Sequence, residues 1–330
     1  MQSLSKSPTI SVRFQNDTQV EHLTSNYLQE WPLFKLYDKH FLQQRRLPED
    51  RVAVRTDATK FIECVVLHNQ LEELAFQIQQ GTMDFKHFTV LRDRTFNKKL
   101  IAGSLTLKAN DYPFVVKLFI ESPYSFVHPF KKGWESLGTF LVGGTSRYLT
   151  GFTRIKNLAH INQQIAASSE WASMVTTPRK WYWTPAHGRM LELTGVNFGA
   201  EKQTITMPSV YCVIADAIEP EGNNSFSCWH DIWRSTAHDR AAIKKQAAMT
   251  IKLCNYLDFC IDANVDNFII EKDTKKLFII DTEHFPTLAG LTIKPLPTTS
   301  YTKLGMFILR NSIQNIFFRH KPIVPFDMQR

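Results

Sequence analysis

The sequence predicts an α+β protein built as two lobes, and three observations carry that reading. Between Phe85 and Glu121 three β-rich runs follow one another with turn signals between them. The segment Ala237–Phe259 carries a helical apolar stripe and delivers the chain into an apolar hairpin. Between these regions, Glu219-Pro-Glu-Gly-Asn-Asn-Ser225 has two acids, Pro and Gly but no sizeable apolar side chain, which marks a linker. The expected organisation is an N-terminal helical extension (1–80), a first lobe of antiparallel sheet plus helix with an insertion (81–218), and a reduced, mainly helical second lobe (219–330).

The bulk numbers agree with a folded chain of this size. There are 330 residues, 43% hydrophobic and 12% aromatic, enough for a sizeable core. Charged residues make up 21%, too few for general disorder. The net charge of +8 favours anionic partners such as nucleotide or phosphoinositide, although the charges are scattered and also fit an ordinary solvated surface. No Arg/Lys cluster with interleaved aromatics singles out nucleic acid. The five cysteines (Cys64, Cys212, Cys228, Cys254 and Cys260) form no C-x-x-C pair, so buried free thiols in a reducing compartment are expected and no zinc site. The N-terminus lacks an apolar signal core, and no apolar run reaches the ~18 residues of a membrane span. A soluble, cytoplasmic protein is expected, with leaderless secretion still compatible.

Along the chain, residues 1–50 are polar and mixed and predict a loosely packed extension with short helices. From Ala58 to Gln80 the apolar positions Val65, Leu67, Leu71, Leu74, Phe76 and Ile78 predict a helix, with Gly81 as its C-cap. Strands are expected at Phe85–Arg92, Leu100–Leu107 and Phe114–Glu121, forming an antiparallel meander. Lys117 lies inside the third, where an ammonium is costly unless it reaches water or a fixed anion. Glycines at 133, 138, 143, 144 and 151 break the next stretch before a helix at Asn157–Met174. Strands resume at Arg179–Trp183 and Ser209–Ala217, and a final helix is expected at Tyr301–Phe318.

The chemistry concentrates in Cys260-Ile-Asp-Ala-Asn-Val-Asp-Asn-Phe-Ile-Ile270 and Leu277-Phe-Ile-Ile-Asp-Thr-Glu-His-Phe285. Asp262 stands five residues before Asn267, and Asp281 fourteen after it. Two carboxylates and a carboxamide gathered by a short hairpin can hold a proton acceptor and a divalent cation beside phosphates. An ordinary turn and hairpin would also use Asp and Asn here.

These residues resemble the protein-kinase-like superfamily, with wording closest to the catalytic and metal loops of the phosphatidylinositol 3- and 4-kinase group. The carriers are Asp262-x-x-x-x-Asn267, Ile279-Ile280-Asp281, the lysine strand Val115-Val116-Lys117 and a hinge at Val213–Ile218. The resemblance implies a bilobal fold and an ATP- and magnesium-dependent phosphotransferase acting on a protein or lipid hydroxyl. It assigns Asp262 as the base and Asn267 and Asp281 as magnesium ligands. It sets Lys117 against the α- and β-phosphates, and gives the backbone near Asp216, Ala217 and Ile218 to the adenine. The basic hairpin Arg92–Lys99 stands where a Gly-rich loop is absent, which puts Arg94 and Lys98 beside the phosphates. Cys260 and Ile261 replace the usual His-Arg, and Thr282-Glu283 replace Phe-Gly. These departures set a pseudokinase-like binding module beside the enzyme reading. Glu135 and Glu170 are the candidate partners of Lys117.

Overall fold

The computed structural model describes residues 9–24, 37–82, 84–95, 103–127, 147–196, 202–221, 252–253, 256–257 and 267–283. In chain order they form β1 (Thr9–Phe14), β2 (Glu21–Thr24), α1 (Lys39–Gln43), β3 (Arg51–Val54), β4 (Asp57–Glu63) and α2 (Val65–Gln79). The meander β5 (Phe88–Thr95), β6 (Gly103–Ala109) and β7 (Phe114–Ile120) follows. Next come α3 (Pro123–Val127), α4 (Arg147–Ala166), α5 (Ser169–Met174), β8 (Val175–Thr176), β9 (Lys180–Trp183), β10 (Met190–Val196), β11 (Lys202–Pro208) and β12 (Val210–Asp216). The hairpin β13 (Phe268–Ile270) and β14 (Leu277–Ile279) closes the described chain.

The architecture is mixed α+β with several antiparallel sheets. The central one has five strands in the order β5-β6-β7-β12-β9. Side chains alternate along a strand, so one face of this sheet carries Val116, Leu118 and Ile120 of β7 with Cys212 and Ile214 of β12. Helix α2 covers that face with the stripe Leu67, Leu71, Leu74 and Ile78, all buried. Each such apolar side chain contributes about 1.5–3 kcal/mol when fully buried. The opposite face carries Phe119, Tyr211, Val213 and Tyr182. It packs against Tyr148, Phe152 and Ile155 of α4 and against Ile10, Val12, Leu191 and Leu193 of a second sheet. Strand β12 is buried on both faces, which is why Ser209–Ala217 reads as a continuous apolar run rather than an alternating one.

Several regions depart from the sequence reading. The helix expected from Ala58 starts only at Val65, because Asp57–Glu63 pairs with Arg51–Val54 as strand β4. Of the short helices expected before residue 50, α1 is present, but β1 and β2 form an antiparallel pair where no strand is expected. Ile10 and Val12 supply the alternation and face the core, while the intervening Ser11 is only partly buried. The second sheet has the order β11-β10-β1-β2, so a hairpin inserted between β9 and β12 captures the N-terminal strands. Helix α4 begins at Arg147 and runs through Gly151, a position read as a breaker. Its missing side chain lets the helix lie against the sheet: a Cβ there would fall 2.7 Å from the Phe119 ring. Tyr211 donates its phenolic hydrogen to the Tyr148 carbonyl at the same contact.

The hairpin β13–β14 joins β8 in a third sheet, with β14 and β8 parallel. Its apolar side packs on Ile161 and Ile165 of α4 and on Leu253 and Leu257, the described part of the helix expected at 237–259. The linker expected at 219–225 pairs with this hairpin over its described residues: Glu221 N donates to Ile270 O at 2.8 Å and Lys272 N to Glu219 O at 2.9 Å. The helix expected at 301–318 lies outside the described residues.

Candidate functional site

Strand register brings the first set of site residues together. Lys117 of β7 stands opposite Thr106 of β6 and Val213 of β12. One pair further along, Val115 stands opposite Ala215, and Ala215 opposite Lys180 of β9. All six share one face of the central sheet. The hairpin β13–β14 and the residues flanking it approach this face and enclose a cavity of about 410 Å³. Its apolar lining includes Leu91, Val115, Pro178, Ile218 and Ile269. Its polar lining includes Lys117, Arg154, Lys180, Asn267 and Asp281. A cavity of this size, mostly apolar with a few convergent charges, suits a small ligand that has an apolar part and an anionic part.

The loop after β14 is held by α4. Arg154, fully inside the protein, pairs with the carboxylates of both Asp281 and Glu283. Thr282 donates to the Arg154 carbonyl at 2.5 Å, and Asn157 Nδ2 donates to the Thr282 carbonyl at 3.1 Å. Thr282 and Glu283 are buried. Thr282 and Glu283 therefore fasten the loop to α4. Burial opposes the charge of Asp281, but Arg154 first, then Lys117 and Lys180, hold its carboxyl well below the usual range. Burial likewise opposes the Arg154 charge, and the two carboxylates outweigh it and raise its pKa. Among the described residues the Arg154 Nε has no hydrogen-bond partner.

Lys180 is the second buried cation. Its ammonium donates to the Ile280 carbonyl at 2.9 Å and to Thr282 Oγ1 at 2.8 Å. Burial pushes its pKa down to about 7, with Asp281 opposing and Arg154 and Lys117 reinforcing that shift.

The hinge segment is more occupied than the sequence implies. Arg179 grips the Asp216 carboxylate through Nε at 2.9 Å and Nη2 at 2.7 Å. The Asp216 N–H donates to Arg179 O, and the Ala217 N–H to Pro113 O at 2.8 Å. These two amides, assigned to adenine, are already used within the protein. Asp216 and Ile218 still line the cavity.

Of the residues singled out in the sequence, Lys117, Asp216, Ile218, Asn267 and Asp281 meet at this cavity. Arg94 lies in β5 opposite Ser104. Asp262, Lys98 and Glu135 lie outside the described residues. Glu170 stands exposed in the first turn of α5. The reading missed Arg154, Lys180 and Arg179. The signal for Lys180 was present: it opens the apolar run Lys-Trp-Tyr-Trp, and the rule that drew attention to Lys117 applies to it equally.

Asn267 and Asp281 offer the hard oxygen donors that suit magnesium. Among the described residues no cluster of three His, Cys, Asp or Glu side chains could hold a metal ion. Both the Arg154 contact and the Glu283 N–H at 3.1 Å fall on Asp281 Oδ1, so Oδ2 is the oxygen that would serve a cation. The oxygens by which these residues would hold magnesium are Asp281 Oδ2 and that of the Asn267 side chain, both at the cavity wall. Cys64 and Cys212 are free buried thiols, as expected. Among the described residues no helix is long and apolar enough to cross a membrane. Comparisons of the chain with protein-family models, with curated proteins and with solved structures gave no match.

Proposed function

We propose that the chain is an ATP- and magnesium-dependent phosphotransferase of atypical kinase type, with the central sheet and the β13–β14 hairpin as parts of two lobes. The observation that carries this reading is that Lys117, Asn267 and Asp281, distant in sequence, line one cavity together with Asp216 and Ile218. Lys117 sets a cation on the sheet face toward the nucleotide phosphates. Asn267 and Asp281 set oxygens on the facing hairpin. Apolar side chains of Val115, Ile218 and Ile269 offer the nucleobase a slot. Bound magnesium would neutralise phosphate charge, and catalysis of this kind is chiefly positioning and electrostatic stabilisation. Asp262, five residues before Asn267, is the proposed base for a protein or phosphoinositide hydroxyl. The cytoplasm, where ATP is available, is the proposed site of action.

A second reading has its own observation. Arg154 occupies Asp281 Oδ1 from within the protein, so an internal cation already neutralises the carboxylate that a metal would use through its other oxygen. That favours a pseudokinase-like module that binds nucleotide without transferring phosphate. Incubation with labelled ATP and magnesium, with phosphoinositides or a proteome lysate as acceptor, separates the two. Transfer abolished by Asp262→Ala supports the enzyme. Folded protein that binds nucleotide and transfers nothing supports the module.

A further inference from the structure

We infer that Lys180 is a second phosphate-binding cation of this cavity, paired across β12 with Lys117 and selecting for the nucleoside di- and triphosphate over the nucleoside. The inference rests on the nucleotide reading above and names a residue that reading leaves unused. Lys180 and Lys117 lie on strands that flank β12 on either side, in adjacent rows of the same sheet face. Both line the cavity. Lys180 is only 7% exposed, so its ammonium has been taken almost wholly out of water. A buried ammonium is costly without a counter-charge. Its hydrogen bonds go to two neutral oxygens, the Ile280 carbonyl and the Thr282 hydroxyl. Among the described residues no carboxylate forms an ion pair with it, because Arg154 has taken both Asp281 and Glu283. Among the described residues two of the three ammonium hydrogens are used, which leaves the third to a ligand in the cavity. A phosphate there would supply both the missing acceptor and the missing charge. Burial lowers the Lys180 pKa, and an anion bound beside it would raise it again.

A structural clamp on the 280–282 loop is the competing role, and it has the opposite signature. Thermal-shift titrations of the purified chain with adenosine, AMP, ADP and ATP test both, in wild type and in Lys180→Met. The expected wild-type order is greater stabilisation with more phosphates. In Lys180→Met, affinity for ADP and ATP should fall by about tenfold or more, as for loss of a charge-assisted hydrogen bond, while the adenosine response persists. The unliganded variant loses the two hydrogen bonds to the 280–282 loop, so its own melting temperature is the baseline for each ligand shift. ADP and ATP affinities within twofold of wild type overturn the inference, as does a destabilised variant with an unchanged phosphate series. Should Lys180→Met not fold, Lys180→Gln keeps a donor toward Thr282 and drops the charge. Loss of the phosphate preference in that variant supports the assignment, and its retention overturns it. A folded wild type that none of the four ligands stabilises removes the nucleotide reading itself, a distinct failure.

Discussion

Arg154 of α4 and Asp281 after β14 form an ion pair at the edge of the cavity, and Glu283 shares the same guanidinium. The pair joins a helix packed on the central sheet to the loop that the proposed function needs for its metal. A shift of α4 must therefore move or release Asp281. Removing Arg154 would leave two carboxylates without their ion-pair partner. Arg154→Leu should destabilise by about 3–5 kcal/mol, the usual consequence of breaking a buried pair from one side. Adding Glu283→Gln should recover part of that loss. Urea denaturation of the single and double variants measures both.

Gly151 sets how closely α4 approaches the sheet. Gly151→Ala places a methyl group against Phe119 and the Tyr211 hydroxyl, neither of which has room to withdraw. The expected cost is about 1–3 kcal/mol, typical of overpacking. A melting temperature equal to wild type would show that the helix shifts freely.

The core beneath α4 is rich in phenols. Burial raises the pKa of Tyr37 to about 12, and also raises those of Tyr148, Tyr182 and Tyr211 well above the ordinary phenol value. A raised folded pKa makes the associated stability complete below the unfolded value, about 10. That stability is lost as the pH rises through 10 and toward 12. The chain should unfold cooperatively in this alkaline window. Absorbance near 295 nm should show these phenols ionising with unfolding rather than before it. Ionisation of all nine tyrosines near pH 10 with native circular dichroism retained would contradict the burial of this core.

Much of the positioning frame was legible from local pattern. The meander, the lysine strand, the β12 run and the β13–β14 hairpin each carry their apolar pattern in consecutive residues. The partners were not legible, because burial of a charge is decided across the fold. Arg154 sits in a helix of mixed polarity, where an arginine reads as solvated, and only packing against the 281–283 loop buries it. Gly151 reads as a breaker until Tyr211 is seen to fill the space its side chain would take. Strands β1 and β10 pair across almost 180 residues, a contact that neither segment announces alone.

The site account makes a specific demand on the sheet lysine. Lys117→Met removes the cation nearest the proposed phosphates and should lower ATP affinity by about tenfold or more. Asp281→Asn should leave nucleotide binding in place while removing any gain from magnesium. Isothermal titration of the variants with ATP, with magnesium and with chelator, checks both.

The central claim is that Lys117, Asn267 and Asp281 form a nucleotide site, and a calorimetric titration of the folded wild-type chain with ATP and magnesium tests it most directly. The account predicts saturable one-to-one binding that Lys117→Met weakens at least about tenfold. An absence of binding by folded protein, or an affinity unaffected by Lys117→Met, would contradict it.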